Sequence, residues 1–142
     1  MNPYNAGSAK PQVGYLRSCM DRRFVAATRR AFEELTHLGE AAYYHEAFAG
    51  GTLGISPEVN GADYVYHRSF SGEQDFDLIF MAWQVHIDHC GGLPGQSDAE
   101  IIAAFKHLIS TGTIQNRYPR VQNHIFLLAR LKDGQPVVEV VR

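Results

Sequence analysis

The chain has 142 residues, of which 45% are hydrophobic and 20% charged, and its formal net charge is -2. That length suits a single domain with a real core, and the charge gives no global attraction to nucleic acid or to an anionic membrane. No apolar run approaches the ~18 residues of a membrane span, and residues 1–15 lack an apolar signal core, so a cytoplasmic protein is expected.

Residues 1–12 are polar, contain Pro3 and Pro11, and read as a loose arm ahead of one domain over 13–142. Residues 13–18 are short and mostly apolar and predict a strand. A helix is expected over 23–38, where Phe24, Ala27, Ala31, Leu35 and Leu38 recur at threes and fours and Gly39 follows as a stop. Residues 41–48 read as a second strand, closed by Ala49-Gly50-Gly51. The stretch 52–74 mixes Gly, Pro, Asn and Ser with Tyr64, Tyr66 and Phe70, and reads as an extended loop holding one short element. These aromatics suit a core, an interface or the wall of an apolar pocket.

Residues 77–86 (DLIFMAWQVH) form a nearly continuous apolar run, as expected of a strand buried on both faces of a parallel sheet. Ser97 and Glu100 make a capping box ahead of Ile101, Ile102, Phe105, Leu108 and Ile109, with Gly112 at the end. Residues 124–131 predict a strand, Lys132-Asp133-Gly134-Gln135 a turn, and 137–141 a last strand. Alternating strands and helices followed by a hairpin indicate an α/β domain, with a mostly parallel sheet flanked by helices and a C-terminal antiparallel pair.

In such sheets, sites gather beyond the carboxyl ends of the strands. Two segments fall there: Ser18-Cys19-Met20-Asp21-Arg22-Arg23 and His86-Ile87-Asp88-His89-Cys90-Gly91-Gly92. Each carries a cysteine with polar neighbours. Two cysteines are too few for a disulfide framework and more consistent with free, catalytic or metal-bound thiols. Thiolate and imidazole are preferred zinc ligands, and a catalytic zinc needs three protein ligands and one open position.

Cys19-Met20-Asp21-Arg22-Arg23 resembles the Cys-x-Asp-x-Arg signature of β-class carbonic anhydrases, and His86 to Gly91 is similar to that family's His-x-x-Cys-Gly signature after a buried strand. Phe48-Ala49-Gly50-Gly51 stands where the family has an Asn-Ala-Gly turn. The spacing departs in one place: three residues separate His86 from Cys90 where the family has two. A single inserted residue makes His86 the ligand, with His89 as the alternative.

The resemblance implies Zn²⁺ held by Cys19, His86 and Cys90 with water as fourth ligand, and reversible hydration of CO2 to bicarbonate by a zinc-bound hydroxide. It implies that Asp21 orients that hydroxide, that Arg23 keeps Asp21 ionised, and that the chain forms a homodimer or higher homo-oligomer. Related zinc hydrolysis of carbonyl sulfide or carbon disulfide is an alternative. So is a non-catalytic zinc-stabilised domain using both His86 and His89. A thiol enzyme built on Cys19 is a further reading, but a phosphatase-like loop needs an arginine six residues on, where Val25 stands.

Overall fold

A computed structural model describes residues 10–54, 60–71 and 75–142. Most of the arm expected over 1–12 lies outside the described residues, as do parts of the stretch expected to be a loop; Gln12 already belongs to the first strand. The elements are β1 (Gln12–Cys19), α1 (Val25–Thr36), β2 (Tyr43–Phe48), α2 (Asn60–Ser69), β3 (Asp77–His86), α3 (Asp98–Ser110), α4 (Thr113–Arg117), β4 (Asn123–Lys132) and β5 (Gln135–Val140). Short 3₁₀ turns at Glu40–Ala42 and Gly51–Leu53 flank β2.

The strand order is β2-β1-β3-β4-β5, parallel except for the antiparallel β4–β5 pair. This is the expected α/β fold. The chain moves outward from β1 to β2, then returns to the other side of β1 for β3. Right-handed crossovers turn that reversal into helices on opposite faces. On one face Phe32 of α1 packs with Leu16, Leu38, Phe80, Ala82 and Leu127. On the other, Val65 and Tyr66 of α2 and Ile101 and Phe105 of α3 pack with Tyr15, Trp83 and Phe126.

The ends of α1 differ from expectation. Its first turn is delayed because the chain after Cys19 makes a separate turn, closed by Phe24 N–H donating to Asp21 O at 3.1 Å. Its end comes at His37, in the left-handed conformation (φ 60°), before Gly39 is reached. The buried stripe is Ala27, Thr28, Phe32 and Thr36, whereas Leu35 is 43% exposed. The two threonines hide there because their hydroxyls are satisfied: Thr36 Oγ1 donates to Phe32 O at 2.8 Å, and Thr28 Oγ1 accepts from Gln84 Nε2 at 3.0 Å.

Within 52–74, α2 is a full helix of ten residues, longer than the short element expected. Ala62, Val65, Tyr66 and Ser69 are buried at helical spacing. Tyr66 packs against Phe70 with its ring tilted and against Tyr118 edge-on, as core, and Tyr64 is exposed. β2 starts two residues later than expected, behind its 3₁₀ turn. Gly112 ends α3's last turn but also opens α4, which was not foreseen. β3 matches its expected bounds, and Ser97 and Glu100 form both bonds of the capping box. Asp133 and Gly134, both at positive φ, make the β4–β5 turn.

None of the helices is long and apolar enough to cross a membrane. Gly14 lets α1 close onto β1: a Cβ there would lie 2.7 Å from Phe32 Cζ and 2.9 Å from Leu38 Cδ1, both in side chains buried too deeply to give way. Gly14→Ala should therefore cost about 1–3 kcal/mol by overpacking, against about 1 kcal/mol for loss of the cap in Ser97→Ala. Urea denaturation of the two variants should rank them in that order with unchanged m-values.

Candidate metal centre

β1 and β3 pair in register only as far as Arg17 opposite Trp83. Beyond that, β1 stays with β2 out to Cys19 opposite Phe48, and β3 stays with β4 out to His86 opposite Ala129. The two central strands therefore part at their carboxyl ends, and the crevice lies where strand order reverses. Gln84 bridges the gap. Its Oε1 accepts from Cys19 N–H at 2.9 Å while its Nε2 donates to Thr28. Gly51 packs against the same two strands, where a Cβ would fall 2.4 Å from Gln84 O and 2.9 Å from Cys19 N. Its φ of 58° adds a second reason for glycine.

Cys19, His86 and Cys90 meet in this crevice. One potential ligand atom from each lies within 4.8 Å of the others, and all three residues are buried. The sulfurs are 4.0 Å apart, close to the ~3.8 Å separating two sulfurs bound at ~2.3 Å on a tetrahedral ion. His86 Nδ1 lies 2.8 Å from Ile87 O. A carbonyl can only accept, so Nδ1 carries a proton, and Nε2 is the nitrogen left for a metal once any proton on it has gone. That buried Nε2 has no hydrogen-bond partner. Two thiols, an imidazole nitrogen freed by its ring partner and the matching spacing suit zinc.

The thiols differ in character. Burial opposes ionisation of Cys19, but the His86 ring and the N–H groups of Asp21 and Gly50 outweigh it and bring the thiol down to about 7. Burial and the neighbouring Cys19 charge push Cys90 up.

Asp21 and Arg23 stand beside this group. Arg23 clasps the Asp21 carboxylate through Nε and Nη2, at 3.1 and 2.9 Å, and its guanidinium holds that carboxyl below the usual range. Asp21 Oδ2 is 3.6 Å from His86 Nε2. A cavity of about 250 Å³ opens here, lined by Cys19, Met20, Asp21, Ala49, His86, Gly91 and Gly92.

The added residue between His86 and Cys90 is absorbed by two successive left-handed residues, Asp88 (φ 63°) and His89 (φ 67°). His89 is exposed and outside the Cys19–His86–Cys90 group. What the bulge contributes is backbone: the carbonyls of Asp88 and His89 each accept from Arg23 Nη2 at 2.9 Å. Two clamps hold the bulge. The Asp88 carboxylate accepts from Leu131 N–H at 2.7 Å, and Asp88 N–H donates to Asp98 at 3.0 Å. Sequence reasoning did not single out Gln84, Thr28 or Asp98; a lone amide inside an apolar strand was the available signal for the first.

Two outcomes follow. Zinc binding must displace protons from Cys90, partly from Cys19, and from His86, whose pKa the Cys19 thiolate and Ile87 carbonyl raise against its burial. Titration with zinc in weak buffer at pH 7 should release more than about one proton per ion, and bound zinc should be lost on acidification. For the bulge, Asp88→Asn keeps an acceptor for Leu131 and tolerates positive φ, whereas Asp88→Gly keeps only the conformation. Exchange of the Arg23 Nε proton, followed by NMR, should stay slow in the first and quicken in the second.

No protein-family model matches this chain, and no curated protein sequence matches it. The fold is similar to that of a carbonic anhydrase from Streptococcus mutans seen in a crystal structure, with a TM-score of 0.55 over 94% of this chain and 84% of that one. The two sequences are 15% identical, so the likeness is one of fold.

Proposed function

We propose that the protein is a zinc-dependent carbonic anhydrase of the β-class type, catalysing the reversible hydration of CO2 to bicarbonate. The observation that carries this reading is the convergence of Cys19, His86 and Cys90, with ligand atoms within 4.8 Å, beside a carboxylate held by an arginine. The carbonic anhydrase fold of the similar crystal structure supports it.

Zinc held by the two sulfurs and His86 Nε2 supplies Lewis acidity towards water. The chain's own residues do the rest. The two thiolates balance the ion's charge, and the Ile87 carbonyl fixes the His86 tautomer. Asp21 reaches the same point as His86 Nε2 and, being ionised, can only accept a hydrogen bond there. It would therefore orient the water or hydroxide that attacks the carbon of CO2. Hydration of CO2 yields bicarbonate and one proton. A carboxyl held so acidic does not retain that proton, which passes to solvent through the open cavity. Arg23, held on three acceptors of two chain segments, keeps Asp21 charged and aimed. Exposed Met20 and the glycines at the cavity mouth suit a small apolar substrate.

The non-catalytic centre with both histidines bound needs His89 at the metal, and His89 is exposed. Among the described residues only Cys19, His86 and Cys90 form a metal-ligating group of this kind.

Stopped-flow CO2 hydration with matched zinc analysis is the test. Arg23→Ala and Asp21→Ala should each retain zinc and lose roughly a hundredfold or more in rate, and the double variant should be no worse than the poorer single. Full activity in both single variants would sink the proposal. Turnover of carbonyl sulfide or carbon disulfide without CO2 hydration would assign the centre to the alternative hydrolase.

A further inference from the structure

A second cavity, of about 170 Å³, shares no lining residue with the metal centre. Its walls include Trp83, Leu108, Ile114 and Tyr118, with Arg17 and Arg117 as its charged groups. The two arginines are not equivalent. Arg117 is exposed and neutralised by Asp63, on which its Nη2 lies at 2.7 Å. Arg17 is 2% exposed. Its guanidinium lies over the Phe48 ring at 4.4 Å, its Nε makes one long bond of 3.4 Å to Gly51 O, and it also acts on the Tyr15 hydroxyl.

Arg17 Nη1 is buried without a hydrogen-bond partner, and among the described residues no carboxylate forms an ion pair with Arg17. Glu46 stands opposite Arg17 in the β1–β2 register but receives the Tyr15 hydroxyl, and reaches Arg17 only through that tyrosine. A buried guanidinium is always charged, and leaving it without an anion is costly. This one borders an apolar cavity near the ~150 Å³ that holds a benzene ring.

From this pairing of a buried arginine that has no directly paired carboxylate with an apolar cavity we infer that the protein has a second ligand site, which takes a small monocarboxylate with an apolar tail. The carboxylate supplies the countercharge to Arg17, and the tail lies against Trp83, Leu108 and Ile114. Neither inorganic anions nor bicarbonate has the apolar part these walls select. The site does not depend on the reaction proposed for the metal centre, and its test does not use that reaction.

Trp83 is the chain's single tryptophan and lines this cavity, so its fluorescence reports occupancy. Titration of the purified protein with 3-methylbutanoate at constant ionic strength should change that fluorescence saturably. A hundredfold excess over Kd should also raise Tm by about 5 °C or more. Chloride should do neither, and bicarbonate should bind at least tenfold more weakly. Arg17→Met should weaken the carboxylate roughly tenfold or more while still folding, since it replaces a buried charge that has no paired carboxylate with an apolar side chain of similar length. Leu108→Trp, which fills the cavity and leaves Arg17 in place, should abolish the Tm shift. A response matched by chloride or bicarbonate, no saturable response, or unchanged affinity in both variants would overturn the inference.

Discussion

The parting of β1 and β3 is the constraint on which the candidate metal centre rests. In a parallel sheet each strand bonds evenly to both neighbours, and a gap at the centre exposes polar groups that must be satisfied. Here the topology makes the gap, because β1 is followed outward by β2 and inward by β3. Local chemistry keeps it open at low cost. The Gln84 carboxamide takes the Cys19 N–H that β3 no longer reaches, and Thr52 donates to Gln84 O at 3.0 Å. Gly51 fits its backbone where any side chain would collide. Cys19 is therefore fixed by its own backbone before its sulfur meets anything. That is the rigidity a ligand set needs, since sites held on regular elements are more precise than sites held on loops.

The second constraint is the bulge at Asp88 and His89. A left-handed residue that is not glycine is uncommon, and two in succession persist only where the surroundings over-determine them. The surroundings do so here: Asp88 is pinned to β4 through Leu131 and to the start of α3 through Asp98. The turn delivers two carbonyls to one guanidinium nitrogen, and that guanidinium holds Asp21. The residues between His86 and Cys90 thus serve the other cysteine segment. They tie the two cysteine segments together through Arg23 across the mouth of the crevice.

Much of this was legible because it depends on local pattern. The buried apolar run of β3, the capping box at Ser97 and Glu100 and the Asp133-Gly134 turn are each set by residues within a few positions of one another. The pairing of the two cysteine segments was legible because parallel sheets place strand ends together. What escaped reading was nonlocal. Leu35 looked like core and is exposed, while Thr28 and Thr36 looked polar and are buried, because their hydroxyls find partners that only the folded chain supplies. That His86 and not His89 lies with the two cysteines turns on backbone conformation at Asp88, which is held by Leu131, 43 residues away. Helix α2 carries few large apolar residues, and its inward face includes Ala62 and Ser69, so its period was faint.

The electrostatics at the crevice follow from putting two thiols 4.0 Å apart in a buried place. They cannot both ionise cheaply without a cation. The first proton leaves Cys19, where the Asp21 and Gly50 N–H groups and the His86 ring stabilise the thiolate, and its charge then holds the proton on Cys90. The free Nε2 of His86 cannot settle the matter, for it faces the Asp21 carboxylate and has no partner of its own. Two groups in the crevice are thus left one interaction short: a thiol that keeps its proton and a ring nitrogen without a hydrogen-bond partner. A single divalent cation satisfies the thiols and the nitrogen at once, which is why the donor set reads as a metal centre and not as a reduced pair of core cysteines.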